Sequence, residues 1–199
     1  MPTLSGPTSL YALAETAINT LVNGAAYSIP TNAIRADIEL YIAIVTTTAL
    51  LASPNAIIIQ TCNDATDDSQ WVDAVPFSTN TTTALTTTAN GAISAAATSV
   101  TLTGSGTFSA RSGFIYFRDS STVGEWVNAQ GQATTTLTVP SPGVINSHLT
   151  GINIYDQAVK YLASLDVSCV KRLRIKVDNN VAATGPTLAV FARVTTYAN

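Results

Sequence analysis

The sequence predicts an all-β fold: an antiparallel jelly-roll-like or Ig-like sandwich, interrupted by an inserted small β-barrel and preceded by an N-terminal arm or short helix. Three observations carry this. Threonine, valine, isoleucine and tyrosine are abundant, and such side chains fit a pleated, half-buried surface. Apolar residues alternate with period two near both ends of the chain. Between those ends the strands become shorter and more closely spaced, with Gly, Ser and Pro among them.

The N-terminal region, residues 1–36, opens with MPTLSGPTS, whose two Pro and one Gly suit a flexible arm. In SLYALAETAINTLVNG, Leu10, Leu13, Ala14, Ala17, Ile18 and Leu21 recur at helical spacing. Ser9 is placed to cap that short helix and Asn23-Gly24 to end it. From residue 37 the period changes. In DIELYIAIV, Ile38, Leu40, Ile42 and Ile44 fall on one face, and Glu39, Tyr41, Ala43 and Val45 on the other. NAIIIQTC is a second strand, NDATDDSQ a polar turn and WVDAVPF a third strand. The uncharged run 40–59 is long enough to raise a membrane span. TTT and SPN break it into two strands and a turn, so no membrane contact is expected.

TNTTTALTTTANGA, residues 79–92, is low-complexity and reads as a linker. TSVTLTG, GFIYFR, GEWVNA, TTTLTV and GINIYD then follow as short strands of a barrel at 92–157. Alternation resumes in KRLRIKVD, which points Leu173, Ile175 and Val177 inward and Arg172, Arg174 and Lys176 outward. TLAVFARVTTY, after the turn ATGP, is the last strand. The sandwich therefore comprises 37–91 and 158–199, with the barrel inserted at an exposed hairpin tip.

The totals narrow the function. A chain of 199 residues is long enough to bury a sizeable core. Charged residues are only 11%, well under the usual quarter, which suggests a surface largely covered by other protein. The formal net charge of −3 argues against general nucleic-acid binding. No basic-then-apolar leader opens the chain, so no secretion signal is expected, and Cys62 and Cys169 are expected as buried, reduced thiols.

IIIQTCNDATDDSQWVDAVPF, followed much later by VKRLRIKVD and TGPTLAVFARV, resembles the sandwich of tailed-phage virion proteins of the capsid decoration (cement) type. That pattern has a strand ending in Gln-Thr-Ser, an acidic turn, a Trp and a late Arg-hydrophobic-Arg/Lys strand. Gln60, Thr61 and Trp71 match it, and Cys62 stands in place of the Ser. The inserted part is similar to a small barrel found in phage head and tail proteins, through Gly113, Glu125, His148 and Gly151. PSPGV stands where that module usually has an Arg-Gly turn. The resemblance covers roughly residues 37–197 and implies a structural role on a virion.

No catalytic constellation is expected. His148 is the single histidine, so only one imidazole base exists, and its setting in NSHLTG suits a structural role. Glu125 lacks an evident carboxylate mate for glycoside chemistry. Asp64, Asp67 and Asp68 fit Asx turns better than a calcium loop. No cofactor and no metal is expected. The expected partner-binding residues are Leu10, Leu13, Ile18 and Leu21 on the arm, and Arg172, Arg174 and Lys176 on the sheet. The expected partners are the major capsid protein and further copies of the chain, as a trimer on a three-fold lattice position. The expected place is the outside of a capsid assembled in the host cytoplasm. The alternatives are a tail, neck or baseplate component, or a carbohydrate-binding adhesin using Tyr116, Trp126 and Tyr155.

Overall fold

The computed structural model describes residues 3–4, 8–16, 21–45, 57–77, 86–108, 113–119, 124–156, 159–178 and 188–198. Its strands, in chain order, are β1 (Thr3–Leu4), β2 (Thr8–Thr16), β3 (Leu21–Asn23), β4 (Tyr27–Ser28), β5 (Ala33–Ile44), β6 (Ile57–Cys62), β7 (Val72–Phe77), β8 (Thr86–Thr88), β9 (Ser99–Thr101), β10 (Gly113–Arg118), β11 (Gly124–Ala129), β12 (Gly131–Ala133), β13 (Thr136–Thr138), β14 (Asn153–Asp156), β15 (Val159–Asp166), β16 (Arg172–Asp178) and β17 (Leu188–Ala198). The fold is all-β, built of antiparallel sheets. The chain divides into two compact units: Met1–Ile42 with Thr46–Thr82 and Val159–Asn199, and Ala43–Val45 with Thr83–Ala158.

The first unit holds two sheets. One runs β1-β17-β5-β15, with β2 also on β17; the other runs β3-β16-β6-β7, with β4 also on β16. The period-two pattern sets what each strand buries. Ile38, Leu40 and Ile42 of β5, Ile57 and Ile59 of β6, and Leu173, Ile175 and Val177 of β16 are all fully buried. The β6–β16 register places Ile59 opposite Ile175, Gln60 opposite Arg174 and Cys62 opposite Arg172. The second face of β5 is less open than its alternation implies. Tyr41 is buried, with Phe191 of β17 stacked at 6.0 Å and the Lys160 ammonium 5.2 Å from its ring centre.

The N-terminal region departs from its expectation. Thr8–Thr16 is a strand paired with β17, not a helix, and β3 and β4 pair with β16. Sheet partners override helical spacing here, because β17 and β16 each offer an open side to the incoming chain. Residues 1–36 therefore contribute strands to both sheets and are not a separate arm. Leu10 and Leu13 lie on β2, Leu21 lies exposed on β3, and Ile18 lies outside the described residues, so the four do not share one helical face.

The second unit holds a sheet β11-β10-β14-β8 and a smaller one, β12-β13-β9. Isolated bridges Ala89↔Leu102 and Ile93↔His148 tie neighbouring segments. Phe108, Phe117, Leu137 and Ile154 centre its apolar core. Part of the expected linker is structured: Thr86–Thr88 pairs with β14, while 78–85 lie outside the described residues. Two glycines are constrained. A Cβ on Gly124 would sit 2.2 Å from the Tyr116 hydroxyl, so β11 passes that ring only without a side chain. Gly143 has φ +88°, and its Cβ would meet Ala96 O at 2.6 Å.

Replacing residues 83–158 with a short Gly-Ser linker should leave a first unit that unfolds cooperatively in urea, because loop length costs little closure entropy. Loss of a cooperative transition by circular dichroism counts against independent folding.

Candidate functional site

Two polar clusters stand out, one in each unit. In the first, β16 places Arg172, Arg174 and Lys176 on the outer face of its sheet, as alternation requires. They are not a solvated stripe. Arg172 is buried, and its guanidinium donates Nε to Asp64 O at 2.9 Å, Nη2 to Asp67 O at 2.9 Å and Nη1 to Asp68 Oδ1 at 2.7 Å. The Trp71 ring lies 5.0 Å from Arg172 and 4.2 Å from Arg174. Arg174 Nε donates to Gln60 Oε1 at 2.7 Å, and Gln60 Nε2 donates to Asp73 Oδ1 at 2.6 Å. Lys176 lies 3.9 Å from Asp73. The expected docking charges are thus engaged by the chain's own 64–73 turn.

That turn is built by its acids. Asp64 Oδ1 accepts from the backbone N–H of Thr66 and of Asp67, each at 2.7 Å, forming an Asx turn. Asp67 accepts from Ser69 N and caps the short 3-10 turn Asp68–Gln70. The hydrogen bond from Arg172 holds Asp68 below the usual carboxylate range. Cys62 is buried beneath, its thiol 3.3 Å from Asp64 O. Cys169, expected buried, is exposed, because it sits in the tight turn after β15 closed by Val170 N to Val167 O. Among the described residues no group of three His, Cys, Asp or Glu is placed to hold a metal ion.

In the second unit, β10 and β11 bring Asp119 and Glu125 to the same buried histidine. His148 Nδ1 lies 2.7 Å from Asp119 Oδ2, and Nε2 lies 3.2 Å from Glu125 Oε1, at ion-pair distance though off the hydrogen-bond line. Phe117 presents its ring edge-on at 5.5 Å. Burial opposes the charged imidazole, but the two carboxylates outweigh it and raise the His148 pKa. Burial likewise opposes the Glu125 anion; His148 and Asn146 outweigh it and lower the Glu125 pKa. Glu125 also accepts from the backbone N–H of Ile145 at 3.1 Å and of Asn146 at 3.0 Å. The triad and the Ile93↔His148 bridge therefore hold the 144–149 segment at Ile145, Asn146 and His148. From that segment Ile145 and Leu149 stand 73% and 76% exposed.

The aromatic trio named for glycan binding does not form a platform: Tyr116 and Tyr155 are buried. Sequence reasoning missed Asp119, whose position just past β10 is its one signal. It also missed Gln132, a buried amide that accepts from Phe108 N at 2.9 Å and donates to Gly104 O at 2.6 Å and Thr134 O at 2.7 Å. No family model, curated protein or solved structure matches this chain.

The triad carries a pH signature. His148, with a raised pKa, stabilises fully below about 6.5 and loses that contribution as pH rises through its folded value. Glu125, with a lowered pKa, stabilises above about 4.3 and loses it as pH falls through its folded value. The urea-unfolding gap between wild type and Glu125→Gln should thus be widest near pH 5–6 and shrink in alkali. In the other cluster, Arg172→Lys keeps charge but not the planar fork, so it should lower the thermal midpoint almost as far as Arg172→Ala.

Proposed function

We propose that this chain is a non-enzymatic structural protein of a phage particle, binding the capsid lattice as a decoration (cement) protein. One observation carries the reading. The polar centre of the second unit is spent on fixing a surface segment, and that segment presents Ile145 and Leu149 to solvent. Large apolar side chains held out on a pinned backbone suit protein docking. Both ring nitrogens of His148 face carboxylates rather than a hydroxyl or thiol nucleophile, which supports a structural role for His148.

The resemblance noted above adds to this. Gln60, Trp71, Arg172 and Arg174, which carry its first motif, meet as one stacked cluster, and Glu125 and His148, from its second, meet as one ion pair. The partners we propose are the major capsid protein and further copies of the chain, on the virion exterior, with neither nucleic acid nor membrane involved. No helix among the described residues is long and apolar enough to cross a membrane.

Mixed with purified expanded capsids, the protein should co-sediment to saturation at a lattice-commensurate ratio and raise capsid melting. An Ile145→Ser/Leu149→Ser variant should melt like wild type alone yet bind capsids more weakly. Absence from capsids with recovery in purified tails would replace decoration by a tail role.

A further inference from the structure

Among the described residues β15 has a single strand neighbour, β5, and it forms one border of its sheet. Among the described residues no strand pairs with its other side, toward which the alternation of the β5 ladder turns the backbone N–H and C=O groups of Lys160, Leu162, Ser164 and Asp166, the situation that natural proteins usually blunt. The border strand of the other sheet, β7, is blunted: it carries Pro76, and its register shifts beside Asp73. β15, VKYLASLD, has neither proline nor register shift along its full pairing with β5. Its one lysine, Lys160, is drawn back toward Glu39 at 3.4 Å. On its outer face Leu162 stands 71% exposed. On its inner face Tyr161, Ala163 and Leu165 are only half-buried, although Tyr161 packs on Phe77 at 4.8 Å.

We propose that β15 is a self-pairing edge, joining two copies of the chain by antiparallel β15–β15 pairing about a two-fold axis at Ala163. The side-chain order selects the partner and the register. A two-fold axis that keeps outer faces continuous pairs only residues of the same face. With the axis at Ala163, Lys160 lies opposite Asp166 of the partner, and the reverse, giving two cross-strand ion pairs on the outer face. The two Leu162 side chains become diagonal neighbours across the axis and cover each other. On the inner face each Tyr161 meets the other copy's Leu165, completing their burial. Moving the axis to Leu162 sets Lys160 opposite Ser164, and moving it to Ser164 sets Asp166 opposite Leu162; both discard the ion pairs. This association is two-fold, unlike the three-fold one expected from lattice geometry, and it does not depend on the capsid reading.

The test uses the purified full chain without capsids, by light scattering across concentration. A dimer is expected. Lys160→Asp alone or Asp166→Lys alone should weaken it roughly tenfold or more, because each sets like charges opposite one another twice. The double variant Lys160→Asp/Asp166→Lys should restore it. Leu162→Lys, at an exposed position, should dissociate it and melt at the midpoint that wild type reaches when diluted to monomer. In a Cys169→Ser background, Ala163→Cys should form an intermolecular disulfide under mild oxidation, since the two thiols face each other, whereas Ser164→Cys should not. A monomer at all concentrations overturns the proposal. So does a dimer that withstands both single charge reversals, or one that cross-links equally well through Ser164→Cys. Capsid binding by a monomer would leave the proposed function standing while this pairing fails.

Discussion

A guanidinium removed from water must have its donors answered, and Arg172 organises the outer face of its sheet on that condition. It sits on β16, the strand that β3, β4 and β6 all border. Its donors reach two backbone carbonyls and a carboxylate of the 64–73 turn. The turn answers with a conformation already set by Asp64 and Asp67, so little ordering remains to be done when they meet. Trp71 then lies across both arginines. A motif dispersed over more than a hundred residues of sequence is thereby one object in space.

The second unit uses the same device with the signs exchanged. There His148 lies between two acids, and one of those acids, Glu125, holds backbone N–H groups of the segment just before His148. In both units a buried ionic group fixes a loop against a sheet. Such groups rarely add much net stability compared with a well-packed apolar replacement. They do specify one arrangement of the loop, because any other leaves a charge unanswered.

Strands with strict alternation were legible in the residues: Leu173, Ile175 and Val177 are the inner face of β16 as their spacing requires. Alternation tells which side a residue faces but not what covers that side. Hence Arg172 reads as solvated and is in fact buried, and Tyr41 reads as outward yet lies under Phe191. Leu10 and Leu13 satisfy helical spacing, but β2 is decided by hydrogen bonds to β17, a partner far away in sequence. The threonines of β8 carry no periodicity, so that strand was hidden in a low-complexity run. His148 and Glu125 stood out in the residues as the single imidazole and an acid in an apolar, threonine-rich run; Asp119, which completes their triad, lies in no pattern.

The chain order of the two units has a consequence for synthesis. β5 pairs with β15, β6 with β16, and β2 with β17, so apart from the β6–β7 pair the early strands of the first unit wait for late ones. Emerging N-terminus first, the sandwich cannot close until residues 172–198 have been made. Thr83–Ala158, which with the earlier Ala43–Val45 makes up the second unit, lies between as one continuous run, and the apolar core of that unit lies within it. That unit is therefore free to fold on the ribosome while Ile57, Ile58 and Ile59 of β6 still lack their strand partner β16. The isoleucine run is the segment most in need of shelter in that interval, and its sheltering strand arrives only near the end of translation.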